Sequence, residues 1–181
     1  LINLLAGIPS VIVGLFGMTT IVPFLRDYVS PTGVGYGILA ASLVLAVMIL
    51  PTVVSVSLDS LSAVPKSYYE GALALGATKE EAVFGIVLPA AKNGITAGIV
   101  LATGRAIGET MAVMLVIGGS PEIPGSLFQS VRTLTANIAM GAMELKDDAL
   151  SALIASGVVL FVFALLLNIS FSALRCGKKK E

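Results

Sequence analysis

Two ionisable residues, Arg105 and Glu109, interrupt the otherwise apolar run Ile95–Ile117. Either charge alone in hydrocarbon costs at least ~2.5–3.5 kcal/mol on insertion scales, so a charge kept there asks for a task. Four residues apart, the two are predicted to share one helical face within hydrogen-bond reach. A guanidinium does not deprotonate, and its planar fork matches two oxygens of an oxyanion. A carboxylate beside it would neutralise the fork when it is empty and yield when an anion arrives, giving a transient site. The alternative is a structural ion pair that locks two helices, and the two roles are compatible. Thr103 and Thr110 flank the pair; each hydroxyl is able to donate to an anion or to be satisfied within the core. Arg105, Glu109 and Thr110 are therefore the candidate anion-contacting residues.

Little other chemistry is available. The chain has no His and a single Cys, Cys176, which removes the usual proton shuttle, His-containing metal sites and any internal disulfide. Cys176 beside Arg175 reads as a membrane-edge residue, with a lipidated thiol as the alternative. No GxxxxGK[ST] phosphate loop is present, and the glycines of "GVGYG" (Gly33–Gly37) lack dinucleotide spacing. Lys plus Arg number 11 against 11 Asp plus Glu, so no excess of positive charge exists to neutralise a nucleic acid. No cofactor or metal is expected.

The elements that hold Arg105 and Glu109 must be membrane helices. Of the 181 residues, 56% are hydrophobic and 12% charged, against about 25% charged in ordinary globular domains. Crossing a ~30 Å hydrocarbon core takes about 20 residues in a helix. Four runs suffice: Leu4–Leu25, Gly33–Leu58, Ile95–Ile117 and Ala149–Leu174. They are too long and too little alternating for barrel strands. The expected fold is an all-α polytopic bundle forming a single domain over 1–181, with loops at 65–94 and 119–148. Gly94-x-x-x-Gly98 and Gly104-x-x-x-Gly108 are predicted helix-packing faces. Met140–Met143 is predicted to be a partly buried lid. Asn168-Ile169-Ser170 has the form of a glycosylation acceptor but falls inside a span and is set aside. The chain opens at Leu1 directly in apolar sequence, and is read as the later part of a longer membrane protein.

Lys and Arg set the expected orientation. The tail "RCGKKKE" carries Arg175, Lys178, Lys179 and Lys180 just after the last span, so that end is expected in the cytoplasm. Counting back, 119–148 falls outside, 65–94 inside and the Arg26–Thr32 turn outside. Lys66, Lys79 and Lys92 on the inner loop agree with this. So does the outer loop, where Glu122, Glu144, Asp147 and Asp148 outnumber Arg132 and Lys146.

The inner loop is built for rigidity. Ser67-Tyr68-Tyr69-Glu70 and Thr78-Lys79-Glu80-Glu81 both have capping-box form. Gly76 between them suits a left-handed helix end, and Pro89 is expected to end or kink the second helix. The first helix is too short to persist without packing. Gly71, Ala72 and Ala74 give it a low surface on which another body can lie.

Glu70-Gly71-Ala72, three residues, Gly76, nine residues, then Ile86-Val87-Leu88-Pro89 resembles the EAA loop of ABC importer permeases. Gly71 departs from the usual Ala. The resemblance implies that Glu70, Gly71, Ala72, Gly76, Ile86, Leu88 and Pro89 form a coupling element seated on an ATP-binding subunit; the alternative is a generic surface helix-turn-helix. "LLAGIPSVIVGLFG" (Leu4–Gly17), "GRAIGETMAV" (Gly104–Val113) and "TLTANIA" (Thr133–Ala139) are similar to the PstC-type permeases of phosphate importers. Members have six helices, so these four spans would be the last four. The resemblance implies a transport subunit rather than an enzyme, lying multi-pass in a bacterial or archaeal cytoplasmic (inner) membrane. It implies two ATP-binding subunits, a PstA-type permease partner, an external phosphate-binding protein and a phosphate path containing Arg105 and Glu109. Permeases for another oxyanion, molybdate or sulfate, and a passive or structural membrane subunit are the alternatives.

Overall fold

A computed structural model describes residues 7–143 and 147–177. The described elements are helices, here numbered α1 (Ser10–Val29), α2 (Ile38–Ser62), α3 (Lys66–Ala74), α4 (Lys79–Gly108), α5 (Met111–Ile117), α6 (Leu134–Met143) and α7 (Asp147–Gly177). Gly118 and Val131 form an isolated parallel bridge. Four stretches are long and apolar enough to cross a membrane: Ser10–Val29, Ile38–Ser62, Lys79–Gly108 and Leu150–Phe171. Residues 1–6, Glu144, Lys146, the Lys178–Lys180 tail and the side chains of Arg175 and Cys176 lie outside the described residues.

Prolines shape two of these helices without ending them. A proline inside a helix lacks a donor and its ring crowds the carbonyl four residues back. In α1 the ladder widens to a π-turn over Gly17–Ile21, just before Pro23; in α4 it widens over Val83–Val87, just before Pro89. Local widening of this kind relieves the crowding. Of the two expectations at Pro89, an end to the helix is not met: α4 runs on from Lys79 for 30 residues, with the π-turn as the local distortion before the proline.

The core lies where α1, α2 and α5 meet. Val22 and Leu25 of α1, Ala40, Ala41, Val44 and Met48 of α2, and Ala112, Val113, Val116 and Ile117 of α5 are buried together. Small residues permit the approach. A Cβ on Gly17 would stand 2.5 Å from Val44 Cγ2, and one on Gly14 would stand 2.7 Å from the Ala112 Cα. Likewise α4 lies along α2 through Gly94 against Ser60 and Gly98 against Val56, where a Cβ on Gly98 would be 2.9 Å from Val56 Cβ. Gly104 and Gly108 differ: among the described residues nothing lies within 4 Å of a Cβ on either. Gly104 instead borders a gap shared with Ala164 and Leu167 of α7.

α7 packs on α6 and α4, and Gly141 of the predicted lid sits against Leu153. No residue of Leu150–Phe171 is buried within the chain. An apolar exterior of this kind suits a lipid solvent, where only the backbone polar groups must be satisfied internally. The segment after α5 folds back over the start of α2: Val131 N–H donates to Ile117 at 3.2 Å, Gly119 N–H to Val131 at 3.0 Å and Leu39 N–H to Leu127 at 3.0 Å.

Candidate functional site

The helix that carries Arg105 stops at Gly108. Glu109 is extended (φ −70°, ψ 129°), Thr110 follows at φ −116°, ψ −60°, and α5 restarts at Met111. Glu109 thus lies at the helix end and is not within pairing distance of Arg105, which corrects the expectation of a pair within hydrogen-bond reach on one continuous helix. Among the described residues the one ion pair within 4.0 Å is Arg26–Asp27.

Once the chain turns at Glu109, the two charges face different spaces. Glu109 is half-buried and lines a cavity of about 410 Å³ together with Ser42, Thr133 and Thr135. Its carboxylate accepts from the Ala112 N–H at 3.2 Å, satisfying one of the donors that a helix start leaves free. Glu109 is thus a cap for α5. Its own carbonyl accepts from the Thr135 hydroxyl at 3.1 Å. Arg105 is exposed and lines a separate groove of about 750 Å³, with Thr52 of α2 and Asn168 of α7. Asn168, set aside in the sequence as a glycosylation acceptor, is the polar neighbour that sequence reasoning missed. Its isolation in an apolar span was the available signal.

The threonine hydroxyls are largely spent on the backbone. Thr103 donates to the Ile99 carbonyl at 2.8 Å and Thr110 to the Gly108 carbonyl at 3.3 Å. Thr110 lies at the break beside Glu109 and not in the Arg105 groove.

At the other end of α4, the Thr78 capping box is complete: Glu81 N–H donates to the Thr78 hydroxyl at 3.3 Å, and Thr78 N–H donates to the Glu81 carboxylate at 2.8 Å. The Ser67 box does not form. Pro65, at φ −56° and ψ 134°, takes the N-cap position, so Ser67 falls inside α3. α3 ends in a Schellman motif, with Ala77 N–H donating to Ala72 at 3.1 Å, Gly76 N–H to Leu73 at 3.0 Å, and Gly76 at φ +90°. Ala72 is buried, as is Ala82, where α3 lies on the start of α4. Ala72 therefore faces inward, while Glu70, Gly71 and Ala74 remain on the open surface. Tyr68, Leu75 and Phe84 add exposed apolar area beside them.

Residues 1–176 match the family described as binding-protein-dependent transport system inner membrane component. Among curated relatives, the probable ABC transporter permease protein YqgH of Bacillus subtilis is 41% identical over 167 residues, covering 91% of this chain and 54% of the relative. The phosphate transport system permease protein PstC of Xylella fastidiosa is 38% identical over 199 residues, covering 99% of this chain and 61% of the relative. PstC 1 of Mycobacterium tuberculosis is 36% identical over 192 residues, with 93% and 57% covered. This chain thus spans somewhat more than half the length of each. No solved structure matches it. A match running from the first described helix to the last, over a helical chain with four apolar spans, has one consequence: the chain belongs to the binding-protein-dependent transport system inner membrane component family.

Proposed function

We propose that this chain is the translocating part of a permease subunit in an ATP-driven importer, and that it passes inorganic phosphate inward across the cytoplasmic membrane. The observation that carries the reading is Arg105. Its guanidinium sits on a long apolar helix, has no carboxylate within 4.0 Å among the described residues, and opens on a groove shared with Thr52 and Asn168. A permanent cation in such a place, flanked by polar groups, is suited to an oxyanion. The relatives named phosphate permeases favour phosphate among the oxyanions.

Membership of the permease family favours two separate ATP-binding subunits as the source of energy. Residues 65–94 face them inside the cell, the C-terminus lies on the same side, and 119–148 faces an external phosphate-binding protein. A PstA-type subunit supplies the other half of the path. Glu70, Gly71 and Ala74, with the exposed apolar residues beside them, form the surface that docks; Ala72 is buried behind it, and Ile86, Leu88 and Pro89 lie exposed at and just after the π-turn of α4. When the ATP-binding subunits close, they draw this element along. The continuous α4 then carries the displacement directly to Arg105 and to the break beyond it. Thr110 and Glu109 shape that break.

The fork also fits sulfate and molybdate. Uptake of labelled phosphate by the full-length protein, assembled with its partners in proteoliposomes, decides the matter. A large excess of sulfate or molybdate is expected to leave the rate within about twofold. Uptake of sulfate or molybdate in place of phosphate would assign the path to that oxyanion instead.

A further inference from the structure

Thr135 is the one buried polar side chain among the described residues, at 8% exposure. Its hydroxyl donates to the carbonyl of Glu109, 26 residues away in the chain, at 3.1 Å. That carbonyl is available because the extended backbone at Glu109 turns it out of the helical ladder. We propose that Thr135 is a positioning residue: it latches the 118–143 segment to the break between α4 and α5, and so sets the geometry of the transport path from its outer end. The proposal deepens the transport reading above and rests on it for the word "path".

The bonds form a continuous chain. Arg132 donates from Nε to the Gly119 carbonyl at 2.9 Å and from Nη1 to Asn137 Oδ1 at 3.4 Å. Thr133 caps α6 by accepting from Ala136 N–H at 3.2 Å, and its hydroxyl lies 3.0 Å from that of Thr135. Thr135 then holds the Glu109 carbonyl, and the Glu109 carboxylate holds the Ala112 N–H of α5. Glu109 is therefore gripped from both sides. Four residues of α5 are buried in the core, so α5 is the fixed side of the break and α6 the side open to being moved. Displacement of α6 reaches Glu109 directly through the Thr135 hydroxyl, while Val131 N–H on the Ile117 carbonyl ties the same segment to the far end of α5. Arg105 lies one helical turn before it.

Thr135→Val removes the hydroxyl and leaves the Glu109 carbonyl without its partner, the expensive way to break a buried hydrogen bond. Two readouts test the latch in the full-length, assembled transporter. Hydrogen–deuterium exchange of the backbone over 109–116 should quicken several-fold in Thr135→Val. Phosphate uptake should lose several-fold in Vmax, with KM within about twofold. Thr135→Ser, which keeps the hydroxyl, should restore both. Thr135→Ala, which requires no added room, should reproduce both losses. Unchanged exchange in Thr135→Val and Thr135→Ala would overturn the latch, as would failure of Thr135→Ser to restore Vmax. Exchange needs no substrate, so wild-type assemblies that take up no phosphate would instead count against the transport reading and leave the exchange result intact.

Discussion

Replacing Gly76 with valine is expected to abolish phosphate uptake while the protein still inserts at its normal level. Gly76 has φ +90°. An L-residue forced into left-handed backbone costs roughly 1–2 kcal/mol, and a branched Cβ makes the conformation an outlier. Among the described residues nothing lies within 4 Å of an added Cβ at this position, so the penalty is torsional and not a clash. A torsional penalty is relieved by moving the backbone, and the backbone here sets the angle between α3 and α4. The Schellman bonds from Ala77 to Ala72 and from Gly76 to Leu73 would be lost with it. Because the turn lies outside the core of α1, α2 and α5, insertion and folding survive. Only transmission from α3 to α4 fails. Asparagine tolerates left-handed backbone better than alanine, and alanine better than valine. Uptake per membrane-inserted protein should therefore fall in the order Asn, Ala, Val. Full uptake by Gly76→Val would show that the turn transmits nothing.

Arg105→Ala should lower phosphate uptake by more than about 100-fold, equivalent to over ~2.7 kcal/mol. Arg105→Lys keeps the charge and loses the fork, and should fall between. The response at Glu109 separates the pairing expected from the sequence from the capping arrangement found. If Glu109 balanced Arg105, Glu109→Gln would remove the counter-charge and be as damaging as Arg105→Ala. As the cap of α5, Glu109 needs only an acceptor oxygen on Ala112 N–H, and glutamine still offers one. Glu109→Gln is therefore expected to stay within a few fold of wild type, with Glu109→Ala clearly worse. Uptake rates of Arg105→Ala, Glu109→Gln and Glu109→Ala, measured at equal membrane levels, settle which arrangement operates.

These contrasts mark what was legible in the chain. Apolar runs fixed the number of spans because length against bilayer thickness leaves little freedom. Thr78 and Gly76 were readable because a capping box and a left-handed helix end each depend on a few local atoms. The same rule misled at Ser67, where Pro65, one turn upstream of Tyr69, starts the helix earlier. At Pro89 the sequence leaves an end or a distortion open, and a π-turn absorbs the missing donor without ending the helix. The break at Glu109 was hidden by hydropathy, which runs apolar straight through it. Its signal lay in Gly108 followed by Thr110, a helix stop and a cap-type residue in the space of three positions. Thr135 was not recoverable at all, because its partner is 26 residues distant and the bond exists only after α6 has docked.

Whether the α3–α4 element is seated on a separate ATP-binding subunit inside the cell is tested most directly at Leu75, which is 91% exposed at the turn between the two helices. A photo-crosslinking residue placed there in the assembled transporter should capture the ATP-binding subunit, with a yield that changes when nucleotide is added. Absence of that adduct, with the same position labelled from outside the cell by a membrane-impermeant reagent, would contradict it.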